Sequence, residues 1–209
     1  MNAIKLEIAA RAAQMIADSG LDYGSAKRKA AFEVCGTSSL AKNSLPNNEE
    51  LDAALFEHLE LFDEGHRARV QQMREVALEL MERMPDFQIY VTGPAWKGIC
   101  AEHAYVHLQA FHDNTKEVEY ALLNLNIPYE AETASHWRGD KDTEALALLY
   151  NKDGEKVPVL ISLYNTDDLR GALKVKIRLG EESIAARGNR QALLARMRLT
   201  HPISKNLSS

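Results

Sequence analysis

The chain has 209 residues, of which 45% are hydrophobic, and a formal net charge of −5. That is enough apolar material for a buried core, which excludes an intrinsically disordered chain, and the mild negative balance gives no overall attraction to nucleic acid or anionic membrane. Two cysteines, Cys35 and Cys100, and no basic, apolar and small-residue order of a signal peptide give the expectation of a reducing cytoplasm; no apolar run reaches the ~20 residues of a bilayer span.

Ile4, Ile8, Ala12, Met15 and Ile16 recur at helical spacing, and Gly20 suits the left-handed end of that helix. Ser25 is the expected cap of a second helix, closed by Gly36, with Lys27, Arg28 and Lys29 on a solvated face. A polar linker leads to Asn47 or Asn48, either of which can cap a helix whose Leu51, Leu55, Leu59 and Phe62 form one stripe. Val70, Met73, Ala77, Leu80 and Met84 continue it, with a break at Gly65 and a stop at Pro85.

From Phe87 the period changes to two. "FQIYV" and "YVHLQAF" alternate as strands, the second placing Val106, Leu108 and Ala110 on one face and His107 and Gln109 on the other. Asn114 and Glu117 predict a capping box for a helix that Asn126 and Pro128 end. "EALALLY" and "VPVLISLY" flank "NKDGEK", whose Asp153 and Gly154 predict a hairpin. Thr166, Asp167 and Asp168 suit a helix start, because carboxylates complement its exposed amides. "SIAARGNRQALLARMR" reads as a final helix, and the tail from Thr200 as loose. The expected division is a helical region over 1–84, an α/β domain over 85–199 and a flexible tail over 200–209.

Between Arg170 and Arg198 there are eight basic residues against Glu181 and Glu182, so this segment carries +6 and the remainder −11. A basic C-terminal face is the expectation. If it holds nucleic acid, binding falls steeply with salt.

The chemistry-bearing stretch is "VTGPAWKGICAEHAYVHLQAF", residues 91–111. A glycine turn, a short helix and a strand with alternating residues resemble the nucleotidyltransferase superfamily that includes DNA polymerase beta. On the family pattern Gly93 and Pro94 stand at the Gly-Ser pair, Gly98 at the following glycine, and Tyr105-Val106-His107 at the Asp-x-Asp strand. A third acid would fall near Ser162 or Tyr164. The resemblance covers roughly residues 85–175 and implies a mixed sheet and two Mg²⁺ ions held by acids. A phenol and a neutral imidazole are poor ligands for a hard cation that prefers anionic oxygens, and Pro94 removes an amide from the phosphate turn. The chain also resembles a group of roughly 200-residue proteobacterial proteins, through "GLDYGSAKRKAAFEV", "VTGPAWKG", "VHLQAF" and "YNTDDLRGAL". Some of that group carry the label UDP-N-acetylmuramate–alanine ligase. That ligase needs a Gly-Lys-Ser/Thr loop for ATP phosphates, and no such tripeptide occurs here.

Other readings compete. Cys100, His103 and His107 would share a face and bind Zn²⁺ if this stretch were helical; as a strand it sets His103 and His107 about 13 Å apart. No Ser-His-Asp or Cys-His set assembles with any specificity. Glu102 is the carboxylate nearest the expected site, Lys97 can meet an anion beside the turn, and Trp96 is expected to pack in the core.

The expectation is therefore an α+β protein, a helical N-terminal region packed on a nucleotidyltransferase-like mixed sheet with flanking helices. Its function is read as binding a nucleotide, RNA or a protein partner through Gly93, Lys97, Gly98, Tyr105, His107 and Ser162. No catalytic residue, metal or cofactor is assigned. The alternatives are an active nucleotidyltransferase with an atypical metal site and a zinc protein.

Overall fold

In the structure, a computed structural model that describes residues 3–37, 44–179 and 182–200, the helices in chain order are α1 (Ala3–Ser19), α2 (Tyr23–Cys35), α3 (Asn48–Phe62), α4 (His66–Arg83), α5 (Gly93–Lys97), α6 (Lys116–Asn124), α7 (Thr166–Ala172) and α8 (Arg190–Thr200). The strands are β1 (Gln88–Thr92), β2 (Val106–Phe111), β3 (Glu130–Ser135), β4 (Asp142–Lys152), β5 (Glu155–Tyr164), β6 (Lys176–Leu179), β7 (Glu182–Ala185) and β8 (Arg187–Gly188). The expected tail over 200–209 lies, beyond Thr200, outside the described residues. Contacts divide the chain into two units: Met1–Val70 with Lys97–Ala104 and Lys176–Ala185, and Gln71–Trp96 with Tyr105–Val175 and Ala186–Ser209.

The first unit is a helical core. Ile8, Ala12 and Ile16 of α1 meet Ala26, Ala30 and Ala31 of α2 and Leu51, Leu55 and Leu59 of α3, with Ile99 and Ala101 closing the cluster. Alanines at the contact let the helix axes approach closely, and each buried leucine contributes about 1.5–3 kcal/mol. Helix α2 begins earlier than Ser25 predicts. Asp22, in extended backbone, caps it by accepting from the Ser25 N–H at 3.0 Å, since a carboxylate also complements the helix dipole. At α3 the capping box is formed by Asn47 and Glu50. Phe62 leaves the predicted stripe: at the last residue of α3 it is exposed and lies against His58, with ring centroids 4.9 Å apart. Leu179 of the β6–β7 hairpin also packs on this core.

The second unit is built on a six-stranded sheet ordered β3-β4-β5-β2-β1-β8, in which β2 and β5 run parallel and every other pair is antiparallel. Its apolar layer includes Val91 of β1, Val106 and Leu108 of β2, and Val159 and Ile161 of β5, all fully buried. Asp153 and Gly154 both have positive φ, 53° and 92°, as the predicted β4–β5 turn requires. Asn114 does bond Glu117, but α6 starts with Thr115 as its cap and without a side-chain cap bond, because the Asn114 carboxamide oxygen is spent on the Lys116 N–H.

The predicted final helix starts seven residues later than its sequence pattern, at Arg190 rather than Ser183, and ends at Thr200 rather than Arg198. Ser183–Ala185 pair with β6 and Arg187–Gly188 pair with β1, and strand pairing overrides the helical preference of the alanines there. Helix α8 starts only where Asn189 accepts from the Ala192 N–H at 2.9 Å. Strand β3 escaped the sequence because its residues are nearly all exposed, which leaves no alternation to detect.

Candidate functional site

The glycine turn forms at the end of β1. Gly93 has φ 63°, Pro94 occupies the first turn of α5 where its missing N–H costs nothing, and Gly98 has φ 80°. A side chain at Gly93 would meet His107, whose Cδ2 lies 3.3 Å from the position of a Cβ. His107 itself stands across from Thr92 in the β1–β2 register. Burial holds its imidazole below the ordinary histidine range, so it is neutral at pH 7. Tyr105, just before β2, is 47% exposed, with its ring centroid 6.3 Å from that of His107.

The face continues along β2. Gln109 is in register with Ser162, and Phe111 with Tyr164. The structure therefore gathers Gly93, Tyr105, His107 and Ser162 on one sheet face of the second unit. Lys97 and Gly98 belong to the first unit. There the Lys97 ammonium donates to Asp52 at 2.6 Å, and the Tyr23 hydroxyl donates to the same carboxylate at 2.6 Å. The zinc alternative is not formed. Cys100 is buried with its N–H toward His66, His103 packs on Gly20, and His107 sits on a strand against Gly93; among the described residues no three His, Cys, Asp or Glu side chains could hold a metal. Nor does the donor set of the sheet face fit the two magnesium ions that the polymerase resemblance implies. Tyr105, His107, Gln109, Ser162 and Tyr164 supply no carboxylate.

The sequence missed the residues that complete this face. Arg187 of β8, in register with Thr92, is 5% exposed and donates through Nη1 to the Gln109 carboxamide oxygen. Its guanidinium lies 5.3 Å from the Trp137 ring centroid. Burial opposes the charge of Arg187 and raises the Tyr164 phenol above its ordinary range, against weaker opposing pulls from Ser162 and Arg187. His136 and Trp137 enter from the β3–β4 connection, with the His136 ring edge-on to Tyr164 at 5.0 Å. Asp168, expected as a helix-start residue, does open α7, but it is buried with oxygens 3.3 Å from Arg138 and 3.5 Å from His136. Alternation placed Gln109 correctly; a helical reading of residues 183–198 hid Arg187.

The basic segment is heterogeneous. Arg170, Lys174, Lys176, Arg178 and Arg198 are exposed, whereas Arg187 is buried, Arg190 pairs with Glu82 at 2.6 Å and Arg196 lies over the Trp96 ring at 4.9 Å. Trp96 packs as expected, 5% exposed. A pocket of about 520 Å³ near Tyr90 is lined by Met81, Glu82, Phe87, Ile89 and Arg190, and its one ion pair is internal.

No protein-family model matches the sequence, and no curated protein matches it. Solved structures similar to it include the Cid1 poly(U) polymerase with MgGTP bound, at 13% identity and a TM-score of 0.33 over 51% of this chain and 38% of that one. Another is a cytoplasmic RNA terminal U-transferase, at 15% identity and a TM-score of 0.31 over 48% of this chain and 31% of that one. The chain thus spans less than two-fifths of the length of these two proteins. Likeness at this level carries no weight for the site, which stands on its own residues. Among the described residues no helix is long and apolar enough to cross a membrane.

Proposed function

We propose that this protein is a catalytically degenerate nucleotidyltransferase-like chain that binds a nucleotide on the β1–β2–β5 face without metal-dependent transfer. The observation that carries the reading is the chemistry of that face: donors and aromatic rings beside a glycine turn, and no carboxylate among Tyr105, His107, Gln109, Ser162 and Tyr164. Metal-dependent in-line transfer needs anionic oxygens to hold its cations, and a phenol with a neutral imidazole does not supply them. The same groups suit recognition. Exposed Tyr105 offers a ring on which a base can stack, a contact worth about 1–3 kcal/mol. His107 and Ser162 offer hydrogen bonds without repelling phosphate.

The test is thermal unfolding with a panel of nucleoside triphosphates and monophosphates, each in Mg²⁺ and in EDTA, beside an assay for incorporation of labelled nucleotide. The expected result is a rise in Tm that EDTA does not abolish, and no incorporation. Incorporation abolished by Tyr105→Ala or His107→Ala overturns the reading. A flat response to every nucleotide also overturns it, leaving a protein-binding module as its replacement.

A further inference from the structure

We propose that Arg187 and the indole N–H of Trp137 form an oxyanion-binding site within the second unit, taking a phosphate group. The inference deepens the nucleotide reading and, in its choice of this face, rests on it.

A guanidinium is always charged, and burying one is costly unless an anion accompanies it. Arg187 is 5% exposed and forms no ion pair with any described residue. The one side chain it hydrogen-bonds is neutral Gln109. The carboxylate of this cluster, Asp168, is already committed to Arg138 and His136. Three buried nitrogens in the cluster lack a hydrogen-bond partner: Arg187 Nε, Trp137 Nε1 and His136 Nε2, the last of which faces the Asp168 carboxylate at 3.5 Å. Two of the three are obligatory donors. They belong to one contiguous group, since Trp137 lies 5.3 Å from the Arg187 guanidinium and 5.5 Å from the His136 ring. A trapped water can satisfy an N–H, but it leaves the positive charge unbalanced. An oxyanion does both, and the fork of a guanidinium matches the geometry of phosphate oxygens. Gln109 is a fitting companion: it holds Nη1 in place without neutralising it.

The experiment compares wild type with Arg187→Met, Trp137→Phe and Gln109→Glu. Tm is measured in inorganic phosphate against chloride at matched ionic strength, and with the four ribonucleosides against their monophosphates. For wild type, saturating phosphate raises Tm by roughly 5 °C, and monophosphates stabilise where nucleosides do so weakly or not at all. Arg187→Met removes the phosphate response and Trp137→Phe weakens it about tenfold in apparent affinity. Gln109→Glu supplies an internal counter-ion in nearly the same volume, so it folds at least as stably and loses the response. Should any one of these variants fail to fold, the others still decide.

A phosphate response that persists in both Arg187→Met and Gln109→Glu overturns the proposal, as does a wild type indifferent to phosphate and monophosphates. If monophosphates stabilise wild type and Arg187→Met equally, this site falls while the nucleotide reading survives. If inorganic phosphate alone binds, and does so through Arg187, the site stands and the nucleotide reading falls.

Discussion

Two buried charge clusters in this protein have opposite balances. In the first unit the Asp52 carboxylate, 4% exposed, receives hydrogen bonds from Lys97 and Tyr23 at 2.6 Å each, so its charge is matched within the cluster. Burial beside that anion lifts the Tyr23 phenol well above its ordinary range and keeps it a donor. In the second unit Arg187 is as deeply buried, yet its side-chain acceptor is a neutral carboxamide and its Nε has no partner. A closed network stabilises the unit that contains it; an open one retains the capacity to take a ligand. The lysine beside the glycine turn is thus tied into structure, while an arginine from a two-residue strand keeps its Nε without a partner.

The largest effect that separates the two clusters comes from Asp52→Ala. It leaves the half-buried Lys97 ammonium and the Tyr23 hydroxyl without their shared acceptor and should cost about 3 kcal/mol in urea unfolding, with no change in any ligand response. A cost under 1 kcal/mol would put the first cluster on a par with a surface ion pair. Gly188→Ala comes next. A Cβ there overlaps the Trp96 ring, so β8 must shift and carry Arg187 with it; the expected loss is about 1–3 kcal/mol together with the phosphate response. Arg187→Met works in the other direction. Removing an uncompensated buried charge should stabilise the ligand-free protein by about 1 kcal/mol, read as a higher urea midpoint with unchanged m-value.

The smallest effect is one of pH. His107 has its folded-state pKa depressed by burial, so the unfolded chain binds the proton more readily. Stability from this group is therefore full above the unfolded value of about 6.5 and declines as pH falls toward the lower folded value. His107→Gln should flatten that part of the decline. Tm profiles of wild type and variant between pH 5 and 8 that run parallel would show that His107 is solvated in the folded protein.

Local patterns predicted much of this molecule. The alanine- and leucine-rich stripes of α1 and α3, the left-handed Gly20 and Gly36, the Asp153-Gly154 turn, the alternation of β2 and the glycine turn at Gly93 are all encoded within a few residues of chain, where spacing and backbone preference suffice. So was the absence of acids at Tyr105, His107, Ser162 and Tyr164, because that is a matter of residue identity. Three things were decided only in the tertiary structure. Strand β8 exists because β1 offers it an edge, strand β3 because β4 does, and Lys97 is occupied because Asp52, 45 positions earlier in the chain, folds against it. Pairing energy and the matching of buried charges come from neighbours distant in sequence, and no local period records who those neighbours are.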